Sequence, residues 1–400
     1  KDRIDPTGLM NPGKIVRAPK FDDRKLLRFN DNYSGASITP ALDWSEYPGA
    51  AGGLQAAVEM CNNNGACLKS EGGAMCPSYR ATGDEQHVTR GRANALRLAL
   101  SGQLGADAFA SEDMAAALQL CVSCKACKRE CPTGVDMARM KIEVLAARLA
   151  TRGMTLRDRL VAYLPRYAPY AAALRGLLNL RDVVPGAAAL TEAMAGFSAR
   201  RTLPRWSKPW SSGAGVAAVA AVKGDGRDVV LFADTFNRYF EPENLSAVRR
   251  LLTAAGYRLH IPEAGDCGRP LCCGRTFLAA GMVDEARHEA RRSVAALAPL
   301  VAAGARVVGL EPSCLLTFRD EATALSLGED AARVAGAAHL VEEVLAADLA
   351  TGLVTLPLVD QRGRVAHLHG HCHQKAHDAF APAEQLLRRV PGLDVRGVES

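Results

Sequence analysis

The sequence predicts a multi-domain fold in which an α-helical, cysteine-rich domain is followed by an α/β domain with a mostly parallel sheet. Two observations support this prediction. Seven of the twelve cysteines fall between positions 61 and 131, where the apolar pattern is helical. From residue 228 onwards, short apolar β runs alternate with helical segments, which is typical of parallel α/β sheets. At about 150 residues per domain, 400 residues suffice for two or three domains.

The first half of the chain divides into four segments. Residues 1–20 are a short piece rich in turn signals, and residues 21–55 are a loop-rich linker. Residues 56–150 are the cysteine-rich helical domain, and residues 151–227 are a basic, proline-interrupted helical connector. Within the cysteine-rich domain, two helical patterns end at glycines, and these are Val88–Ser101 and Met137–Arg152.

Residues 228–400 are the predicted α/β domain. The predicted strands are 228–233, 257–261, 306–311 and 364–369. The predicted helices run from Pro242 to Gly256, then up to about Gly304, and finally over residues near 331–350. A weak internal repeat links 240–261 with 380–398, and the second copy stops before any Cys-Cys-Gly motif. Because the chain also begins without Met, we expect it to be an internal portion of a longer protein.

Composition excludes several classes of protein. Apolar residues make up 48% and charged residues 23%, as in soluble globular proteins rather than disordered ones. The net charge of +6 is spread along the chain, so nucleic acid is not an expected partner. We find no signal peptide and no apolar run that could span a bilayer. We therefore expect a cytoplasmic protein, peripheral at the inner membrane if it touches a membrane at all. The amphipathic stretch 157–180 is either a packed helical hairpin, which we favour, or a face for a membrane or a quinone-linked partner.

The strongest chemical signal is the run Cys121-x2-Cys124-x2-Cys127-x3-Cys131-Pro132. Thiolates at this spacing hold one corner of an iron–sulfur cube, and in two-cluster ferredoxins the fourth cysteine binds the other cluster. Zinc ribbons also use Cys-x2-Cys pairs, but four cysteines in eleven residues with a terminal Cys-Pro favour iron–sulfur. A disulfide framework would suit a small secreted chain, which this is not.

A second group reads Cys61-x5-Cys67-x8-Cys76-Pro77, with Asn64 where a middle cysteine is expected. Pairing the two groups crosswise gives one complete ligand set for a 4Fe–4S cluster, namely Cys76, Cys121, Cys124 and Cys127. The remaining set is one thiolate short and consists of Cys61, Cys67 and Cys131. That second site holds a 3Fe–4S cluster, or a cluster with Asn64 or water as fourth ligand, or it is empty. The missing thiolate favours an empty or labile site.

A third group lies in the α/β domain and comprises Cys267, Cys272, Cys273, Cys314, His371 and Cys372. Cys314 follows the strand 306–311, and Cys372 follows the strand 364–369. Because ligands bind beyond the carboxyl ends of parallel strands, we expect these residues to converge on one site for iron or zinc. The alternative is that the nearby histidines only line one face of a strand.

Arg90, Arg92 and Arg97 lie near the cluster region. They are either a solvated helix face, which we favour, or cations that raise a cluster potential. We find no nucleotide-binding glycine loop and no hydrolytic triad, so catalytic residues are not assigned.

The motifs resemble the C-terminal half of the fused FAD/iron–sulfur D-2-hydroxyacid dehydrogenases. "DPTGLMNPGK" (5–14) resembles the end of an FAD-linked oxidase domain. "CNNNGAC" (61–67) with "CVSCKACKRECPTGVDM" (121–137) resembles the ferredoxin-type 4Fe–4S domain of that family. Residues 229–400 are similar to the cysteine-rich CCG domain that also occurs in subunits of glycolate oxidase, anaerobic glycerol-3-phosphate dehydrogenase and heterodisulfide reductase.

The resemblance implies an oxidoreductase in which D-lactate or D-2-hydroxyglutarate reduces FAD bound by an upstream domain. Electrons would then pass through the 4Fe–4S cluster to a quinone or a carrier protein. The flavin domain and the second CCG motif are absent from this sequence, whereas Asn64 looks normal for the fused subfamily. Two alternatives stay open: a heterodisulfide-reductase-like subunit that acts on a disulfide, and a zinc-bound scaffold without a redox role.

Overall fold

The computed structural model describes residues 1–23, 25, 33, 35, 38–48, 52–211, 222–262 and 269–398. Cys267 lies outside the described residues. In the part of the chain that is described, no helix is both long and apolar enough to cross a membrane.

The first half of the chain is helical, as predicted. The helices of the cysteine-rich part are α1 (Gly53–Glu59), α2 (Pro77–Thr82), α3 (Thr89–Leu100), α4 (Glu112–Gln119), α5 (Ala126–Glu130) and α6 (Met137–Arg152). The predicted bounds of α6 are confirmed because its local signals are strong. The Asp136 carboxylate accepts a hydrogen bond from the Arg139 N–H at the start, and Gly153, with φ +75°, ends the helix.

The connector forms four short helices, which are α7 (Leu156–Ala162), α8 (Leu164–Ala173), α9 (Arg175–Leu178) and α10 (Ala187–Ala195). Only part of it is packed. Ala162 is buried in the same core as Phe277, and Ala168 and Ala172 are buried with Tyr239, whereas α9 and α10 contain no buried residue. The favoured interpretation of a packed helical hairpin stays a prediction.

Parallel strands dominate the second half, which confirms the predicted sheet type. The strands are β1 (Asp228–Leu231), β2 (Arg258–His260), β3 (Arg306–Gly309), β4 (Ala338–Leu340), β5 (Val365–Leu368) and β6 (Asp394–Gly397). The helices are α11 (Thr235–Tyr239), α12 (Pro242–Ala254), α13 (Arg275–Leu278), α14 (Val283–Ala302), α15 (Pro312–Arg319), α16 (Glu329–Ala337), α17 (Val341–Thr351), α18 (Cys372–Ala376) and α19 (Ala381–Arg388). One parallel sheet has the order β2-β1-β3-β4, and β5 pairs with β6 in a second parallel sheet.

Two expectations about this half are wrong. The single helix expected near 331–350 is two helices, because β4 lies between them and adds a buried edge strand beside β3. The strand predicted at 364–369 does not join the main sheet, since β5 pairs only with β6 among the described strands. The argument that Cys314 and Cys372 follow strands of one sheet therefore fails.

One hydrophobic core runs across the boundary between the two halves. Met75 and Leu96 of the cysteine-rich part are buried together with Phe277 and Leu278 of α13. The packing is close: Gly281, just after α13, lies directly against the backbone of α6. Two residues of the segment predicted to be a linker also enter this core, and these are Leu42 and Trp44. The cysteine-rich part and the first helices of the α/β part thus bury apolar surface jointly.

Candidate iron–sulfur centre

Four cysteines from two distant stretches of sequence line one cavity. These are Cys76, Cys121, Cys124 and Cys127, and the cavity that they line has a volume of about 20 Å³. The other lining side chains include Arg92 and Lys125 but no carboxylate. Soft thiols with cations close by are a donor set that suits an anionic iron–sulfur cluster. The residues therefore fit a 4Fe–4S cluster.

The backbone turns the cysteines inwards through unusual conformations. Cys76, Ser123 and Lys125 adopt left-handed φ values of +53°, +54° and +63°. Such a conformation costs a non-glycine residue about 1–3 kcal/mol and is concentrated at functional sites. The sulfur of Cys76 lies 3.3 Å from the Thr89 backbone nitrogen and 3.1 Å from the Thr89 hydroxyl, at the start of α3. Hydrogen bonds to a ligand sulfur tune the potential of a bound cluster.

Basic side chains near the cavity are buried. Arg92 is only 2% exposed and donates hydrogen bonds to the Ala117 carbonyl (2.9 Å) and the Ser78 hydroxyl (3.0 Å). The interpretation of Arg92 as part of a solvated helix face is therefore wrong. Lys141 is a second such cation, and its ammonium group donates to the Cys121 carbonyl at 2.6 Å.

Burial raises the pKa of Cys124 to about 11, with smaller contributions from the neighbouring thiols of Cys121 and Cys372. Burial also raises the pKa of Cys127 well above its usual value. Without a metal, both thiols are therefore protonated at neutral pH. Because iron binds thiolates, loading of this site must release protons.

The three cysteines of the incomplete ligand set are not among the residues that line this cavity. Cys61 and Cys67 are buried, and Cys131 is half-buried. Asn64 is exposed and holds the local turn: its amide nitrogen contacts Asn62 Oδ1 at 2.6 Å, and its oxygen accepts from the Ala66 N–H at 2.8 Å.

The third group of residues does not come together as a whole. Cys272, Cys273 and Cys314 are neighbouring buried thiols, which we call the thiol row. Interaction with Cys273 lowers the pKa of Cys314, but burial and the nearby carboxylates of Asp234 and Glu311 together outweigh it and raise that pKa to about 11. Cys372, by contrast, begins α18, which packs on α5 next to Cys124.

His371 has a structural contact in addition to any role as a ligand. Its Nδ1 atom accepts a hydrogen bond from the His373 backbone N–H at 3.1 Å and so caps α18. Within the described residues, no three or more His, Cys, Asp or Glu side chains are grouped to hold a single metal ion, and this applies to the cavity cysteines and to the thiol row as well. Cys267 is outside those residues, so its place relative to this group stays a prediction.

A buried set of charges connects the cluster loop to the α/β part. Lys125 Nζ lies 2.5 Å from Asp320 and 2.7 Å from Glu321, and Lys128 Nζ lies 2.8 Å from Asp320. Lys128 also lies 3.6 Å from Asp136, and Arg275 is in close contact with Glu321. His377 Nε2 lies 3.6 Å from Asp320, but burial lowers the pKa of His377 to about 4, so it adds no charge at neutral pH. We call these six residues the interface charge network: Lys125, Lys128, Asp136, Arg275, Asp320 and Glu321.

The central pair of this network is charged at neutral pH. Burial lowers the pKa of Lys125 to about 8, although Asp320 opposes the shift. Burial alone would raise the pKa of Asp320, but the charges of Lys125 and Lys128 hold it below its usual value. A neutral histidine adds a second link, since burial lowers the pKa of His373 to about 3 and its Nε2–H donates to the Ser123 carbonyl at 3.0 Å.

Comparison with known proteins identifies the cysteine-rich part. Residues 57–135 match the family described as 4Fe-4S dicluster domain. Residues 57–135 are therefore similar to this family, and we refer to them below as the dicluster domain. They span all seven cysteines of the first two groups, so the iron–sulfur character predicted from their spacing is confirmed.

In addition to this family match, the chain is similar over most of its length to D-2-hydroxyglutarate dehydrogenases and over a shorter part to a subunit of another dehydrogenase. It is 27% identical to D-2-hydroxyglutarate dehydrogenase of Pseudomonas putida over 80% of this chain and 35% of that protein. It is 24% identical to the Escherichia coli protein of the same name over 96% of this chain and 40% of that protein. It is 26% identical to one subunit of the anaerobic glycerol-3-phosphate dehydrogenase of E. coli, over 58% of this chain and 56% of that protein. No solved structure matches the chain.

The chain thus spans only 35–40% of the length of the two D-2-hydroxyglutarate dehydrogenases, in their C-terminal part. The resemblance to D-2-hydroxyacid dehydrogenases that the motifs suggested is confirmed as a similarity of sequence.

Sequence reasoning did not identify the interface charge network. Lys125 and Lys128 stand between recognised cysteines, so their position within the motif was the available signal. Asp320 lies 195 residues further along the chain from Lys125, in a region without any motif. Its partnership with Lys125 became visible only in three dimensions.

Proposed function

We propose that this chain is the electron-transfer part of a flavin-linked D-2-hydroxyacid dehydrogenase, with one 4Fe–4S cluster on Cys76, Cys121, Cys124 and Cys127. The observation that supports this assignment is the single cavity lined by all four thiols and by no carboxylate. When bound, the cluster supplies one-electron transfer. The similarity to D-2-hydroxyglutarate dehydrogenases supports D-2-hydroxyglutarate or D-lactate as the substrate of the intact enzyme.

The chain's own residues prepare the site for this role. Met137 and Ala138 line the cavity and are buried, so part of its wall is apolar, and a lower local dielectric strengthens nearby charge interactions. Thr89 donates to the sulfur of Cys76, and the buried cations Arg92 and Lys125 offset the negative charge of thiolates. Both effects favour the reduced form of a bound cluster and so raise the reduction potential of that cluster.

The other cysteine groups have proposed roles as well. Cys61, Cys67 and Cys131 form an incomplete second site that we propose to be empty or labile, because one thiolate is missing. In the α/β part, which we propose to be a CCG domain, the thiol row Cys272, Cys273 and Cys314 is the core of a further site for iron or zinc. Cys372 with His371 lies towards the dicluster domain instead, and Cys267 completes the predicted set.

In the intact enzyme, we propose that FAD is bound by a domain upstream of residue 1, with residues 1–20 as its last segment. Electrons leave through the dicluster domain to a quinone or a carrier protein. The location we propose is cytoplasmic, with any membrane contact peripheral. Residues 1–400 alone should neither retain FAD nor oxidise D-lactate or D-2-hydroxyglutarate, and turnover of either compound by this chain would contradict the proposal.

The experiment that tests the cluster assignment is a count of iron, acid-labile sulfide and zinc per chain on anaerobically purified protein. We expect about four irons and an electron paramagnetic resonance signal that appears on reduction with dithionite. Seven or eight irons, at about four per full cluster, would mean that the second site is filled. Zinc without iron would refute the redox role and support the scaffold alternative.

Two matched variants locate the cluster. Cys76→Ser removes a predicted ligand, so the iron bound to the chain should fall below half of the wild-type value. Ala346→Ser places a serine at a buried position of α17, away from every proposed ligand, and should leave the iron content and the dithionite-dependent signal in place. Equal loss of iron and signal in both variants would contradict the assignment of Cys76.

The thiol row in the α/β part favours one other function, that of a heterodisulfide-reductase-like subunit. Buried neighbouring thiols such as Cys272 and Cys273 suit a metal site at which a disulfide is reduced. The two functions differ in what precedes residue 1. A reading frame that continues upstream into a flavin domain supports the dehydrogenase, and a separate gene with its own start codon supports the reductase.

A further inference from the structure

The interface charge network is electrically balanced. It contains three cations, Lys125, Lys128 and Arg275, and three carboxylates, Asp136, Asp320 and Glu321. Its central members are buried: the side chains of Lys125, Asp320 and Glu321 are 3%, 6% and 3% exposed. Removing any one charge would leave a net charge of +1 or −1 in a region that water screens poorly.

This network reaches the proposed cluster through Lys125. Lys125 stands between Cys124 and Cys127 in the chain and itself lines the cavity formed by the four cysteines. Its φ of +63° is a conformation that glycine adopts far more easily than lysine. A glycine here would relieve the backbone, but it would also remove the ammonium group that meets Asp320 and Glu321.

Two of the three carboxylates belong to the other half of the molecule. Asp320 and Glu321 lie directly after α15 in the α/β part, whereas Lys125, Lys128 and Asp136 belong to the dicluster domain or its edge. Two regions of the chain therefore determine the net charge beside the cluster loop. Lys125 and Asp320 are 195 residues apart in sequence.

We propose that Asp320 and Glu321 are positioning residues that set the reduction potential of the cluster by neutralising Lys125. This inference rests on the proposed function, because it requires a cluster on Cys76, Cys121, Cys124 and Cys127. Reduction adds one electron, and so one negative charge, to the cluster. Excess positive charge in the network favours the reduced state and raises the potential, whereas excess negative charge lowers it.

The test measures the midpoint potential of the loaded full chain by a redox titration followed by electron paramagnetic resonance. Asp320→Asn should raise the midpoint potential, and Lys125→Gln should lower it. The double variant Lys125→Gln/Asp320→Asn restores charge balance, so its potential should return close to that of the wild type. A merely structural role would give shifts of one sign in both single variants and no compensation.

A matched control and a milder variant complete the design. Asp348→Asn removes a buried carboxylate that pairs with Arg306. Arg306 is the first residue of β3, whereas Cys314 follows the other end of that strand. Asp348→Asn should leave the potential unchanged. Lys128→Gln alters a side chain that is 44% exposed, so the chain should fold even if the variants at Lys125 do not, and its potential should fall.

The outcomes separate the two claims. A wild-type chain that binds no iron refutes the proposed function itself. If the wild type binds the cluster and Asp320→Asn, Lys128→Gln and Asp348→Asn all have its midpoint potential, this inference is overturned and the cluster assignment stays intact. Opposite shifts for the removal of an anion and of a cation support it.

Discussion

Gly281→Ala is the sharpest test of how the two halves pack. A Cβ atom built on Gly281 would lie 2.4 Å from the Leu145 carbonyl carbon and 2.6 Å from the Ala146 nitrogen, both in the backbone of α6. Side-chain motion cannot relieve these contacts, so the helix or the turn must shift. Overpacking of this kind costs about 1–3 kcal/mol. The φ of +76° adds about 1–2 kcal/mol for any residue with a Cβ.

A small gain offsets part of this cost, because alanine restricts the unfolded chain and recovers about 0.4–1 kcal/mol. We therefore expect Gly281→Ala to lower the free energy of unfolding by about 2–4 kcal/mol. The control is Gly352→Ala, at the end of α17, where φ is +73° but no atom lies within 4 Å of the added Cβ. Gly352→Ala has the backbone strain without the steric overlap, so its free energy of unfolding should fall by only about 1 kcal/mol.

The assay is equilibrium unfolding in urea, followed by far-ultraviolet circular dichroism and by tryptophan fluorescence, since Trp44 lies in the shared core. Coincidence of the two transitions is the condition for quoting one free energy. Equal destabilisation by the two alanine variants would refute the close approach of Gly281 to α6.

Two further predictions concern buried carboxylates. Hydrogen bonds from Arg258 hold the pKa of Asp228 below its usual value. Its ionised form therefore stabilises the fold above about pH 4, and this stabilisation is lost as the pH falls further. Between pH 5 and about pH 3, the urea midpoint should fall more steeply in the wild type than in Asp228→Asn; parallel curves would contradict this. Glu143 accepts hydrogen bonds from the Leu42 N–H (2.9 Å) and from Trp44 Nε1 (2.7 Å). Glu143→Gln should cost about 1.5–3 kcal/mol and expose the segment around Trp44 to limited proteolysis, and unchanged cleavage would argue against this anchor.

Local signals explain what the sequence could predict. The helix α6 has a capping aspartate at one end and glycine at the other, so its bounds follow from neighbouring residues alone. The spacing Cys121-x2-Cys124-x2-Cys127 likewise places three thiols on one short loop. Pairing the two cysteine groups crosswise predicted Cys76 as the fourth ligand, and Cys76 lines the same cavity.

Features that depend on distant contacts could not be predicted in this way. The strand β4 has only three residues and lies between two helices, so its identity comes from pairing with β3 rather than from its own pattern. The placement of Cys372 near Cys124 depends on the packing of α18 against α5. The sequence around Arg92 is that of a surface helix. Only the structure shows that α4 covers this side chain, which donates a hydrogen bond to the carbonyl of Ala117 in α4.

The core shared by α13 and the dicluster domain limits how this protein can deliver electrons. Many redox proteins carry a cofactor on a tethered module that swings between a donor and an acceptor. Here such a swing would pull Phe277 and Leu278 out of the core that they share with Met75 and Leu96, exposing apolar surface to water at about 25 cal/mol per Å². The cluster loop and the buried thiol row are instead held at a constant separation. We therefore expect any electron donor or acceptor of the proposed cluster to dock on a rigid protein rather than to meet a moving module.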